Sequence, residues 1–195
     1  LFTNEMAAQI RQRGGQADAN ELLEAFLEPL NANAHERYAQ LRNGTATPDD
    51  FIVHGGLALL ELLTARGLHI IILSGNPHDQ ITAEAEMLGL TGFCNGHVYG
   101  HTDANNFTKQ AVLEKLMAEE SFTGEEFIMF GDGAAEIEAT CNLGGLPIAV
   151  CSDEHQNGSG RIDENKRAVL LEAGANVVIA DYREPNTLLN LIIGK

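Results

Sequence analysis

The residue types best suited to chemistry are two carboxylates, a lysine and a hydroxyl, each at a junction between an apolar run and a helix. The run Phe127 to Phe130 leads straight into Gly131, Asp132 and Gly133, with Glu136 three residues on. A stretch of β-formers thus ends in a tight, glycine-flanked turn that presents Asp132 and Glu136, and residues 136–143 can continue as a helix. In a parallel α/β sheet, ligands sit outside the carboxyl ends of the strands. Carboxylates placed there suit a hard cation such as Mg²⁺, which wants oxygen ligands and leaves room for a phosphate. A plainer alternative has Asp132 capping the helix and Glu136 favouring its dipole from the first turn.

A second junction adds to the first. The apolar run Leu68 to Leu73 reads as a buried parallel strand. It ends in Ser74, Gly75, Asn76 and Pro77, and a helix is predicted over 78–88. The Ser74 hydroxyl and free backbone N–H groups at a helix N-terminus would form a phosphate cradle; an ordinary Ser or Asn cap is the alternative. Between the two junctions, Asn106 to Lys109 opens a helix predicted over 109–119. A lysine in a first helical turn opposes the dipole, so a phosphate or the carboxylates of the other loop should favour Lys109. A solvated surface lysine is the alternative.

These three sites, in this order, resemble the haloacid dehalogenase superfamily, and within it the phosphoglycolate phosphatase and β-phosphoglucomutase-like proteins with a helical cap. The resemblance implies that Ser74 holds the phosphate, with the N–H groups of Gly75 and Asn76 beside it. It implies that Lys109 neutralises phosphate and nucleophile, that Asp132 binds Mg²⁺, and that Glu136 holds a metal-bound water or orients Lys109. Such proteins more often carry Asp at the last position, and the extra methylene of Glu136 disfavours direct ligation.

The family's first motif, Asp-x-Asp at the end of a central strand, is absent from the 195 residues. Its first Asp is the nucleophile and its second the general acid/base. Residues 1–5 look like those that directly follow this motif. A core lacking that strand would leave a slot, and even small cavities cost several kcal/mol. The expectation is therefore that the first core strand, with the nucleophile, lies upstream of residue 1. A degenerate relative without a nucleophile is the alternative.

Composition bounds the rest. A chain of 195 residues with 44% hydrophobic residues fits one α/β core plus a small insertion. The net charge of -16 argues against a nucleic-acid partner, since phosphate backbones are bound by basic surface. A small phosphorylated metabolite fits better than a polyanion. No apolar run is long enough for a membrane helix. Cys94, Cys141 and Cys151 read as buried reduced thiols of a cytoplasmic protein, and no Cys/His spacing suggests a zinc site. His97 and His101 read as structural or surface residues. Oligomeric state is not legible.

The elements that must position the site form a doubly wound, Rossmann-like parallel sheet over residues 51–195, with further strands at 93–99, 146–151 and 176–180 and helices at 55–66, 163–173 and 186–193. The first fifty residues instead read as helices at 3–13, 19–30 and 33–41, with Asp18 or Asn20 as the N-cap of the second. By the same resemblance, residues 4–47 form a small all-helical cap that closes over the site and selects substrate; a bundle that only buttresses the sheet is the alternative. Residues 151–155 follow a strand end, a place on the rim of the site, whereas Asp181 reads as a turn cap. The resemblance implies a Mg²⁺-dependent phosphatase working through an aspartyl-phosphate. A phosphomutase and a non-catalytic phosphate-binding relative remain open. A receiver domain ranks lower, because it has no helical insertion of this size.

Overall fold

The computed structural model describes residues 2–102 and 108–194. The chain divides into two compact units, Leu1–Thr47 and Pro48–Lys195.

The first unit is helical. Helix α1 (Phe2–Gln12) packs on α2 (Ala19–Asn43), and Ala7 is fully buried. Asp18 is the N-cap, its carboxylate accepting from the Glu21 N–H at 3.3 Å. The two helices predicted over 19–30 and 33–41 are one continuous helix. Asn31 and Ala32 between them cost at most tenths of a kcal/mol in a helix, too little to end one; the helix also runs through Pro29, at a cost of about 3 kcal/mol in a helix interior.

Among the described residues the second unit holds five strands, and every pairing is parallel. Strand β1 (Ile72–Pro77) pairs with β2 (Val98–His101). Strand β3 (Ile128–Gly131) pairs with β4 (Leu146–Val150), which pairs with β5 (Val177–Ile179). Among the described residues β1 and β3 are not joined, so each is paired along one edge only. Helices complete the layers: α3 (Gly56–Ala65) packs on α8 (Pro185–Ile193), and α4 (His78–Met87) covers β1 and β2. Helix α6 (Ala134–Asn142) covers β3 and β4, and α7 (Glu164–Glu172) packs on α6 and β4. Helix α5 (Lys109–Glu120) packs on α6 and also touches β1.

Two apolar clusters sit under these layers. One gathers Ile137, Ala149, Cys151, Leu170 and Ala175; the other gathers Ile70, Ala85, Cys94 and Val98. Cys94 and Cys151 are buried as expected, but Cys141 is exposed, its Sγ lying 3.4 Å from the Gly174 carbonyl near the end of α7.

Two strands start later than the sequence suggests. The run 68–73 was expected to be the strand, yet β1 begins at Ile72, and Leu68 is 41% exposed. The strand expected over 93–99 begins at Val98. Asn95 and Gly96 both take positive φ, 49° and 82°, which breaks an extended chain, while Cys94 and Phe93 serve the core from a turn.

Candidate active site

At the C-terminal end of β3, Lys109, Gly133 and Glu136 meet. Gly131 closes the strand, Asp132 and Gly133 form the turn, and Glu136 falls in the first turn of α6. One Glu136 oxygen, Oε1, accepts from the Gly133 N–H at 2.9 Å. The other, Oε2, accepts from Lys109 Nζ at 2.7 Å. The pair is largely desolvated, with side-chain exposures of 19% for Lys109 and 9% for Glu136. Both glycines are needed for this fold-back: a Cβ on Gly131 would collide with Glu136 Cγ, and one on Gly133 would stand 3.0 Å from both carboxylate oxygens. Lys109 is presented by a well-made helix start, where Thr108 caps α5 by accepting from the Ala111 N–H at 3.0 Å. Asn106 and Phe107, which the sequence also assigns to this start, lie outside the described residues.

Asp132 points the other way. Its side chain is 66% exposed, and its Oδ2 lies 3.7 Å from Nζ of Lys166, which in turn bonds Glu154 at 2.6 Å. Burial would lower the Lys166 ammonium, but the bond to Glu154 and the charges of Asp132, Glu154 and Asp163 outweigh it and hold the pKa above its ordinary value. Tyr182 stacks edge-on to Phe130, and its phenol is pushed up strongly, first by burial and then by the Asp132 charge. Sequence reasoning missed Lys166. The signal was present, since Lys166 lies in the first turn of α7, the same dipole-opposing place that singled out Lys109.

The loop after β4 is held by one carboxylate. Asp153 accepts from the backbone N–H groups of His155 and Gln156 at 3.0 and 3.1 Å and from the Ser159 hydroxyl at 3.1 Å. Burial would raise its pKa; these bonds and Arg161 prevail and hold it below the usual range. Asn157 ties the loop to the segment before α3, accepting from the His54 N–H and donating to the Ile52 carbonyl. Asp181 serves the backbone as a turn residue, accepting from the Arg183 N–H and guanidinium.

Ser74, Gly75 and Asn76 lie within β1 rather than beyond it. Leu73 pairs with Tyr99 and Pro77 with His101, so the three residues bulge opposite Gly100 alone. A Cβ on Gly100 would meet the His78 backbone and the Asn76 carbonyl, so glycine is required there. Ser74 Oγ accepts from the Asn76 N–H at 3.1 Å, so that N–H is already satisfied inside the bulge. Helix α4 starts immediately afterwards at His78. The structure therefore brings Lys109, Glu136, Gly133 and Asp132 together, while Ser74 sits on the other sheet, linked to them through α5.

Residues 4–144 match the family model described as haloacid dehalogenase-like hydrolase. The chain belongs to the haloacid dehalogenase-like hydrolases. It is 28% identical over 151 residues to a phosphoserine phosphatase of Campylobacter jejuni subsp. doylei, covering 72% of this chain and 70% of that protein. It is 32% identical over 98 residues to a phosphoglycolate phosphatase of Rhodospirillum rubrum, covering 50% of this chain but only 40% of that relative. In fold it is similar to a haloacid dehalogenase-like protein of unknown function from Agrobacterium tumefaciens, with a TM-score of 0.62, 15% identity and coverage of 98% and 90% of the two chains.

The donor set of this hydrolase can be tested against a hard cation. Asp132 fits: its carboxylate is exposed at a strand end and offers oxygen. Glu136 fits less directly, because both of its oxygens already serve Gly133 and Lys109. Among the described residues, no group of three metal-binding side chains forms around Asp132. No described helix of the hydrolase is long and apolar enough to cross a membrane.

Proposed function

We propose that this hydrolase is a Mg²⁺-dependent phosphatase of a small phosphorylated metabolite, working through an aspartyl-phosphate. The observation that carries the reading is the desolvated Lys109–Glu136 pair, fixed by the Gly133 N–H at the end of β3. A lysine held in one place beside a strand end can stabilise the charge of a transferring phosphoryl group. Asp132 would hold Mg²⁺, which supplies neutralisation of the phosphate charge when bound. Glu136 acts through Lys109, orienting its ammonium, and the Ser74 hydroxyl and Gly75 N–H would bind phosphate oxygens from the bulge of β1.

The nucleophile this reading requires is assigned to a strand between β1 and β3, outside these residues. Each of those strands has one unpaired edge among the described residues, and the 195 residues contain no Asp-x-Asp. Attack by that Asp on phosphorus would release the alcohol, and water would then release phosphate. The helical unit Leu1–Thr47 is proposed as the cap that excludes water and selects substrate. A soluble cytoplasmic enzyme accords with the absence of a membrane-length apolar helix among the described residues and with the unpaired cysteines.

The names of the two relatives, phosphoserine and phosphoglycolate phosphatase, set the first substrates to try, both small carboxylated phosphomonoesters. The test is phosphate release by the full polypeptide with and without Mg²⁺, for wild type, Lys109→Ala and Asp132→Asn. Mg²⁺-dependent release that collapses in both variants is expected. Retained Mg²⁺-dependent turnover in either variant would sink the assignment.

A further inference from the structure

At the opposite end of the β1–β2 sheet, three side chains from separate elements converge. His69 precedes β1, His97 precedes β2, and Glu120 is the last residue of α5. Nδ1 of His69 is 2.8 Å from Glu120 Oε2, and Nδ1 of His97 is 4.0 Å from Oε1. The two imidazoles meet edge to face with centroids 4.4 Å apart. One ligand atom from each of the three residues lies within 4.8 Å of the others. The Tyr99 hydroxyl stands 3.4 Å from His97 Nδ1.

We propose that His69, His97 and Glu120 bind a borderline divalent transition-metal cation, with Zn²⁺ as the probe, at a site separate from Asp132. Two imidazole nitrogens and one carboxylate oxygen are a donor set used by zinc with three protein ligands and an open fourth position. Mg²⁺ prefers oxygen alone, so the two sites would select different cations by ligand hardness. Tetrahedral zinc bonds of about 2.1 Å put neighbouring ligand atoms roughly 3.4 Å apart. The observed spacings run from 2.8 Å to at most 4.8 Å and bracket that value, so seating the ion opens the shortest contact and closes the widest. Side-chain exposures of 43%, 34% and 29% for His69, His97 and Glu120 leave the ion a way in.

Charge points the same way. Glu119 and Glu120 end α5 with no basic residue in the last turn, where negative charge opposes the helix dipole. Glu119 pairs with Lys115 at 3.7 Å, so a cation held there offsets the Glu120 carboxylate. It would also clip the end of α5 to the segments that lead into β1 and β2. Lys109 sits eleven residues away along the same helix, about 16 Å at 1.5 Å per residue, so this is not an extension of the first site.

The experiment is competition for Zn²⁺ against a chromophoric chelator, using the full protein without an affinity tag, in wild type and in His69→Gln and His97→Gln. One equivalent per chain is expected, weakened at least about tenfold in each variant, with excess Mg²⁺ failing to displace it. Zn²⁺ should also raise the melting temperature of wild type but not of His69→Gln. His69 is the more exposed of the two histidines, so His69→Gln keeps its fold by circular dichroism even should His97→Gln not. Equal uptake by wild type and His69→Gln, or no uptake by wild type, overturns the site. Neither readout involves phosphate-ester turnover, so the outcome is independent of the proposed phosphatase activity.

Discussion

The two ends of α5 carry charges of the wrong sign for the helix that bears them, and the molecule resolves the conflict in two ways. At the N-terminal end Lys109 is drawn into a largely desolvated pair whose acceptor is itself pinned by the Gly133 N–H. At the C-terminal end Glu120 faces two partly exposed imidazoles at 2.8 and 4.0 Å. A misplaced charge costs a few tenths to about 1 kcal/mol at a helix terminus, which either arrangement can offset. The difference lies in freedom. The first end is fixed in one geometry, as charge stabilisation of a reacting group requires. The second is open and adjustable, which suits capture of an ion that brings its own preferred geometry.

Breaking the fixed end should have the largest effect. Lys109→Ala and Asp132→Asn are expected to lower phosphate release by about 10²–10³-fold each, measured as kcat/KM on the best ester of the panel. Circular dichroism should show both variants folded, since Thr108 still caps α5 and Asp132 is mostly exposed.

Glu136→Gln sharpens the comparison by leaving Lys109 in place without its counter-charge. Glu136 is nearly buried and Lys109 only 19% exposed, so about 1–3 kcal/mol of stability should be lost, read by chemical denaturation. Turnover should fall as well, but less than in Lys109→Ala, because the ammonium remains nearby. A fall in activity with no loss of stability would show that the pair contributes little to the fold. Gly131→Ala tests the same geometry sterically. The new methyl meets Glu136 Cγ, so a cost of about 1–3 kcal/mol is expected together with reduced turnover. Wild-type stability in Gly131→Ala would show that Glu136 moves aside freely.

The fixed end was largely legible in the sequence and the open end was not, for a physical reason. Gly131, Asp132, Gly133 and Glu136 are neighbours in the chain, and a strand-to-helix turn of that composition admits few geometries. Lys109 was found because its place in the first turn of α5 demanded a partner. Applied to Lys166 in α7, the same rule would have found the cation beside Asp132. His69, His97 and Glu120 come from three separated segments, and no spacing pattern joins them. Their juxtaposition depends on where β1 and β2 begin, which is where the reading of apolar runs was off by several residues. The bulge at Ser74–Asn76 escaped for a related reason, because it depends on Gly100 across the ladder.

Disturbing the open end should cost much less. Glu120→Gln, without added metal, is expected to change stability by less than about 1 kcal/mol, since exposed ion pairs contribute little. Denaturant midpoints of the variant and wild type should nearly coincide. A loss like that of Glu136→Gln would mean that the two ends are built alike after all.

The smallest expected effect reports on the same cluster through Tyr99. Its phenol is held above its ordinary value, first by burial and then by the charges of Glu120 and Glu119. In Glu120→Gln the titration, followed by ultraviolet difference absorbance against a Tyr99→Phe control, should move down towards the ordinary value without reaching it, because burial persists. The sign for stability follows from linkage. A phenol whose folded pKa is raised stabilises the native state fully below its unfolded value near 10, and that contribution is lost as pH rises through the folded pKa. Wild type should therefore lose stability above that unfolded value more steeply than Tyr99→Phe. A titration unmoved by Glu120→Gln would mean that the Glu120 charge plays no part in raising the phenol.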